Sequence, residues 1–376
     1  MAYPSRLARW LRVLAVTIAP LALGLALSAP PLSPVRAAGV VLNETGSTLL
    51  YPLFQAWIGD YPHVAPGVTV AAAATGSGAG EQQAIAGQAR IGASDAYMSD
   101  EQAEQNPEIR NIPLAISAQT VNYNVPGLNG AGLNGAGLKL DGPALAAIYA
   151  GRITQWDAAP IAALNPGVDL PHRSIVPIRR ADASGDTFIF TQFLDFSTQT
   201  WEDRIGYGTS VDWPTIAGEH TAKGNDGMVE AIGATPYSVG YAGISFKGAI
   251  AKAGLGTALL ENQSGKFLLP TPDTINAAAS SLDPRTPPDE RLTLVFAPGD
   301  DSYPLINYEY AVVSSRQPDG ATADALRHFL LWAISLQGGN ASKYLDQVGF
   351  IPLPDFIRAM SEKQIHQIAP TASTGG

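Results

Sequence analysis

The 376-residue chain contains no cysteine. That excludes disulfide frameworks, thiolate metal sites, cysteine nucleophiles and a lipid anchor on an N-terminal cysteine. Basic residues are scarce, 23 Lys and Arg against 33 Asp and Glu for a formal charge of −10, so the chain lacks the basic surface that nucleic-acid binding requires. Its five histidines (His63, His172, His220, His328, His366) are scattered without metal-type spacing. No Gly-x-Ser-x-Gly elbow occurs; the run Gly76-Ser-Gly-Ala-Gly80 places Gly78 where a nucleophile would stand. No serine has an obvious base. These absences predict no catalytic residue, no metal and no cofactor. With 38 Gly and 29 Pro the chain falls short of low complexity, and at 46% hydrophobic it has ample material for a core. The length exceeds most single cores and predicts two lobes.

The first residues set an expectation about compartment. Arg6, Arg9 and Arg12 precede an uncharged stretch from Val13 to Val35, rich in leucine and broken at Pro30, Pro31 and Pro34. Val35-Arg36-Ala37 fits a cleavage site, so residues 1–37 read as a secretory signal peptide. The run approaches the roughly 20 residues that span a bilayer, which leaves an uncleaved anchor as the alternative. Pro20 and the later prolines favour cleavage. Removing the four arginines before Ala38 leaves 19 basic against 33 acidic residues, a charge of −14 on an exported, freely moving protein.

Beyond the signal, strand-like and helix-like patterns alternate. Val68–Ala74, Ala89–Ala93 and Ile175–Ile178 read as strands, Glu81–Gly87 and Phe188–Leu194 as helices. Leu50, Leu53, Phe54, Trp57, Ile58 and Tyr61 share one helical face, and Leu326 to Ile334 mark a late helix with Gly338-Gly339 as its C-cap. The alternation predicts an α/β protein. Two longer strand-like passages, Ile112–Val125 and Leu305–Ser314, carry polar and aromatic residues among their aliphatics. They suit chain that crosses between lobes and faces a cleft, or two ordinary edge strands. The pentapeptide repeat within 127–138 reads as a loop extension, Asn262–Arg291 as a long surface excursion and 370–376 as a flexible tail.

Three segments share one grammar, a strand end, small and hydroxyl residues, then a helix: Thr45-Gly-Ser-Thr-Leu49, Thr75-Gly-Ser-Gly-Ala-Gly80 and Arg179-Arg-Ala-Asp-Ala-Ser-Gly-Asp-Thr187. Helix N-termini carry unpaired N–H groups and a partial positive charge of about half a unit. Three of them facing one point would hold an anion with dipoles rather than net charge. Taken singly, each is more often an ordinary N-cap or turn.

Gly46-Ser-Thr-Leu, Gly76-Ser-Gly-Ala-Gly, Ile91-Gly-Ala-Ser-Asp-Ala, Arg179-Arg-Ala-Asp-Ala-Ser-Gly and Lys223-Gly-Asn-Asp-Gly, in that order, resemble the signature stretches of the phosphate-binding protein of the high-affinity phosphate ABC transporter. Similarity also runs through Asp141–Asn165 and Tyr237–Tyr241. The resemblance implies a two-lobed periplasmic-binding-protein fold of type II, each lobe a mixed sheet flanked by helices, joined by two crossing strands. Lobe I would comprise residues 38–118 and 305–369, and lobe II residues 119–304. It further implies a periplasmic monomer that binds inorganic phosphate and delivers it to the permease and ATPase subunits of the transporter. Carried over by position, the donors are Thr48, the Leu49 N–H, Ser77, Arg180, Ser184, Gly185 and the N–H of Asp186. Asp95 is the acceptor, and Asp182 braces Arg180.

A carboxylate only accepts hydrogen bonds, so Asp95 needs an O–H from its ligand. Hydrogen phosphate has one and sulfate has none, which would reject sulfate by leaving a buried carboxylate unpaired. The rival readings are a binder of sulfate, molybdate or tungstate and a secreted phosphatase-like enzyme. One departure concerns Asp186, which stands where many members of that family carry a threonine. Thr187 is the candidate to supply that hydroxyl, with the Asp186 side chain turned away to cap the helix or pair with an arginine.

Overall fold

The computed structural model describes residues 39–129 and 137–371. The expected signal peptide (1–37), most of the repeat loop (130–136) and the last five residues lie outside the described residues. Among the described residues, nine strands form one mixed sheet. They are β1 (Val40–Gly46), β2 (Val68–Ala71), β3 (Ile91–Ser94), β4 (Ile109–Asn124), β5 (Val176–Arg180), β6 (His220–Ala222), β7 (Ser238–Gly243), β8 (Gly256–Thr257) and β9 (Ile306–Ser314). The order is β2-β1-β3-β9-β4-β7-β5-β6, with β8 also pairing β4. The β1–β2, β1–β3, β5–β6 and β5–β7 pairs are parallel, and every pair that includes β4 or β9 is antiparallel.

The two polar, aromatic-rich passages are β4 and β9, central neighbours rather than edge strands. The 16-residue β4 changes partner along its length: Ile109 to Ala118 pairs β9, and Gln119 to Asn124 pairs β7. Pro113 lies inside β4 at a register shift, where Glu309 faces Ala115 and Tyr310 faces Pro113. A proline has no N–H for the ladder, and a bulge is where a strand interior tolerates one.

The helices follow their apolar faces. Helix α1 (Tyr51–Val64) buries Leu53, Phe54, Trp57 and Tyr61. Those rings meet Phe329 and Trp332 of α5 (Gly320–Ile334) with centroids 4.9–6.0 Å apart. Trp57 also donates its indole N–H to the Gly339 carbonyl at 3.0 Å. Aromatic side chains bury the largest areas, and replacing such a residue by alanine costs about 3–5 kcal/mol, so Trp57 is the position most damaging to this layer. Helices α2 (Ser77–Ile85), α3 (Gly185–Ser197) and α4 (Gly224–Ala234) each start where a parallel strand ends. None of the helices is long and apolar enough to cross a membrane among the described residues.

Three local expectations change. Helix α2 begins at Ser77, not Glu81, because Gly76 at φ +100° already turns the chain into it. Helix α5 ends at Ile334 with Ser335 extended; Gly338 and Gly339 form the following turn instead of the C-cap. The 262–291 segment is no surface excursion, because Pro272–Leu282 is a helix burying Ile275, Ala278, Ala279 and Leu282, and Glu290 is buried. Those four positions follow the i, i+3, i+4, i+7 spacing of a core-facing helix.

Candidate anion-binding site

The ends of β1, β3 and β5 and the starts of α2, α3 and α4 converge on a cluster of buried polar side chains. On one side stand Ser47, Ser77 and Asp95. Ser47 follows β1, where Gly46 adopts φ +143° and a Cβ would meet the Ala93 carbonyl oxygen at 2.0 Å. The Ser47 hydroxyl donates to Asp95 Oδ1, and its oxygen accepts from the Leu50 N–H at 2.9 Å. Ser77, the first residue of α2, donates to Asp95 Oδ2 at 3.2 Å and accepts from the Asp95 N–H at 3.3 Å. Asp95 follows β3 and is 2% exposed. Burial foremost, then the Asp186 charge, push its pKa up to about 7 against the pull of Glu309, Ser47 and Arg180.

Behind Asp95 lies Glu309 of β9, fully buried, with Oε1 accepting from Ser117 Oγ at 2.5 Å and Asn307 Nδ2 at 3.0 Å. Burial, and then the neighbouring Asp95, raise its pKa well above the ordinary carboxyl range. Glu309 is therefore held toward its protonated form more strongly than a free carboxyl, and it is placed against Asp95.

On the other side stands Arg180 at the end of β5, 4% exposed. Its Nε and Nη2 donate to Asp182 Oδ1 and Oδ2 at 2.8 and 2.5 Å, a planar bidentate pair. Its Nη1 donates to Asp186 Oδ2 at 2.5 Å. Burial alone would lower the arginine pKa, but the Asp182 hydrogen bonds and the charges of Asp186 and Asp182 raise it, so the guanidinium stays charged. For Asp182 burial pushes upward, yet the Arg180 bonds and charge and the Gly224 N–H, 3.1 Å away, hold its pKa below the ordinary range.

Helix α3 lies between these sides. Ser184 caps it by accepting from the Asp186 N–H at 3.1 Å. A Cβ on Gly185 would meet Asp95 Cβ and Oδ2 at 2.5 Å and Ser77 Oγ at 2.7 Å, so only glycine lets the helix start lie against Asp95. Asn225, in the first turn of α4, links Thr48 and Asp186. Its N–H and Nδ2 donate to Thr48 Oγ1 at 3.2 and 2.9 Å, its Nδ2 also donates to Asp186 Oδ2 at 2.7 Å, and its Oδ1 accepts from the Gly243 N–H at 2.7 Å.

The predicted residues Thr48, Ser77, Asp95, Arg180, Ser184, Gly185 and Asp186 come together in this cluster, with Asp182 hydrogen-bonded to Arg180. Leu49 is fully buried beside them, its carbonyl accepting from Ser245 Oγ at 2.8 Å. Asp186 pairs with an arginine, one of the two arrangements expected of it, but it does so inside the cluster instead of turned away, and Thr187 does not take its place there. Asp186 faces inward, fully buried, while the Thr187 hydroxyl pairs with Tyr241 OH at 2.8 Å. The reason is electrostatic: a carboxylate beside a buried guanidinium, Asn225 Nδ2 and Gln119 Nε2 (3.1 Å to its Oδ1) has three donors there. The Asp186 N–H, expected to face the ligand, is taken by Ser184. Arg179 is drawn away by Glu219, 2.7 Å from its Nη2.

Ser47, Gln119, Asn225 and Glu309 were not among the predicted site residues. Ser47 and Asn225 sit inside quoted motifs, a signal that was available; Gln119 and Glu309 carry no local signal. One cation, several uncharged donors and buried carboxyls that need protons suit a small tetrahedral oxyanion that carries its own O–H. Neither Ser47 nor Ser77 has a histidine partner; both hydroxyls donate to Asp95.

A PBP superfamily domain model matches residues 33–336. The phosphate-binding protein PstS of Methanocaldococcus jannaschii is 31% identical over 347 residues, covering 88% of this chain and 86% of that protein. Among solved structures, the high affinity periplasmic phosphate-binding protein PfluDING superposes with a TM-score of 0.66 at 19% identity, covering 86% of this chain and 93% of that one. An ABC-type phosphate transport receptor from Vibrio cholerae gives 0.53 at 18% identity, covering 83% and 100%.

Proposed function

The chain belongs to the PstS phosphate-binding proteins of the PBP superfamily, and on that premise we propose that it binds inorganic phosphate reversibly between the Asp95 and Arg180 sides and delivers it to an ABC transporter. The observation that carries this reading is the pairing of a buried, acceptor-only Asp95, fed by Ser47 and Ser77, with the Asp182-braced fork of Arg180. Arg180, Thr48, Ser77 and the backbone N–H groups around Leu49 and Gly185 meet the ligand's oxygens, and Asp95 accepts its O–H. No bond is made or broken, so the protein acts as a carrier and not as an enzyme.

The division into two lobes rests on β4, whose partner changes between Ala118 and Gln119. Gly185 lies against Asp95, the arrangement that closure about β4 and β9 would produce, since hinge strands joining two such groups are a common route to sequestering a ligand. The permease and ATPase subunits of the transporter are the partners, the working unit is a monomer, and the compartment is the periplasm, reached by way of residues 1–37. Calorimetry on the exported chain tests the reading. Phosphate should bind with a Kd near the micromolar range, about −8 kcal/mol, and sulfate should not compete. Equal affinity for both ions contradicts it.

A further inference from the structure

Asp186 gives the site one carboxylate more than a single hydrogen phosphate can satisfy. Its carboxylate is fully buried, faces Arg180 Nη1 from β5, Asn225 Nδ2 from α4 and Gln119 Nε2 from β4, and feels the charge of Asp95 from β3. Tyr241 of β7 stands beyond Thr187 and donates or accepts only with it and the Arg180 N–H. Three donors occupy Asp186, two on Oδ2 and one on Oδ1; a carboxylate offers roughly four lone-pair positions, so Oδ1 keeps one. Arg180 is already matched by Asp182 and Asp186 together. The buried cluster is therefore net negative before any anion arrives, and a dianion would enter it against that charge with one O–H for two carboxylates.

We propose that Asp186 is a second proton-reading residue and that this site selects the dihydrogen form, H2PO4−, giving one O–H to Asp95 and the other to Asp186. The inference rests on the phosphate reading above and deepens it. Where free phosphate is HPO4 2−, binding takes up one proton from solvent, and the ion is held as H2PO4− with no other change in bonding. Asp95 must be ionised to accept, and its pKa lies near 7. Affinity is then greatest near neutrality and falls above the second ionisation of phosphate. Asp182, tied to the Nε side of Arg180 and to the Gly224 N–H, stays ionised throughout and contributes no pH dependence there.

The test is calorimetry of inorganic phosphate binding to the exported chain between about pH 7 and 9, in buffers of different ionisation enthalpy. The wild-type Kd should rise about tenfold per pH unit at the alkaline end, with uptake of about one proton per phosphate bound. Asp186→Asn keeps one acceptor oxygen for Arg180 and Asn225, replaces the other by an NH2 and removes the charge; its Kd should be nearly flat over the same range, with uptake close to zero. Asp186→Thr should behave likewise, and thermal melts establish that each variant is folded. A wild-type Kd that is flat with pH, or wild-type binding without proton uptake, overturns the proposal whatever the variants do and leaves the phosphate reading standing. An equally steep decline in a folded variant also overturns it. Absence of phosphate binding by the wild type at every pH removes the phosphate reading and this inference together.

Discussion

The Asp95 side and the Arg180 side of the site keep charge out of water by opposite means. Around Asp95 the acids are pushed toward their neutral forms, Asp95 up to about 7 and Glu309 well above the ordinary carboxyl range, chiefly by burial. Around Arg180 the charges persist, because the guanidinium meets two carboxylates at 2.5 Å. Protonation is reversible and responds to a ligand's own proton, whereas an ion pair is fixed in place. The first side is thus suited to discrimination; on the second, Asp182 holds the geometry of Arg180 and Asp186 is the carboxylate left to meet a ligand's proton. Breaking either should give a different kind of defect.

The largest effect belongs to Arg180→Ala. It removes the fork from the ligand and strands Asp186 without its cation, and breaking a buried pair costs about 3–5 kcal/mol. Phosphate affinity should fall on the order of a thousandfold, about 4 kcal/mol, with a lower denaturation midpoint. Unchanged unfolding would show that the Asp186 pair carries no structural weight. Next comes Gly185→Ala, whose methyl would overlap Asp95 and Ser77 at 2.5–2.7 Å. At least a tenfold loss of affinity, about 1.4 kcal/mol, should appear with a small change in melting temperature; wild-type affinity would mean that α3 does not abut Asp95 when ligand is held. Ser47→Ala removes one donor to Asp95 and should weaken binding by about 1–3 kcal/mol, as read by the same titration.

The smallest effect lies outside both sides and serves as a control. Glu290, buried and bonded by Ser361 at 2.8 Å and Gln364 at 2.5 Å, is pushed up to about 7, mainly by burial. The folded protein then holds a proton that the unfolded chain releases at the ordinary 4.5. Its contribution is fully present below that value and is lost as pH rises toward 7. Melting temperature should therefore decline from about pH 5 to 8, and Glu290→Gln should flatten part of the decline without altering phosphate affinity. An identical slope in the variant would remove Glu290 as its source.

Much of this was legible in the sequence because the relevant signals are local. The helices read at Glu81–Gly87 and Phe188–Leu194 are present, though they start earlier, at Ser77 and Gly185, and the apolar spacing of Leu53, Phe54, Trp57 and Tyr61 gave α1 its face. The Arg180–Asp182 brace spans two residues and needs no tertiary information. What escaped depends on distant chain. Asp186 turns inward because Asn225, 39 residues later, and Gln119, 67 earlier, offer it donors. Thr187 is claimed by Tyr241, 54 residues away. Glu309 reads as one polar position in a strand, and only the β9–β4 pairing shows that its carboxyl meets Ser117. The buried helix in 262–291 was hidden by its polar and proline-rich flanks, although Ile275 to Leu282 carried the period.

The central claim is that Asp95 reads the proton of the ligand. The ratio of sulfate to phosphate affinity, measured by calorimetry for the wild type and Asp95→Asn, tests it most directly. An asparagine amide can donate to an oxyanion that has no proton, so the account predicts that sulfate binding emerges in the variant and the ratio rises at least tenfold. A variant that still rejects sulfate as the wild type does would contradict it.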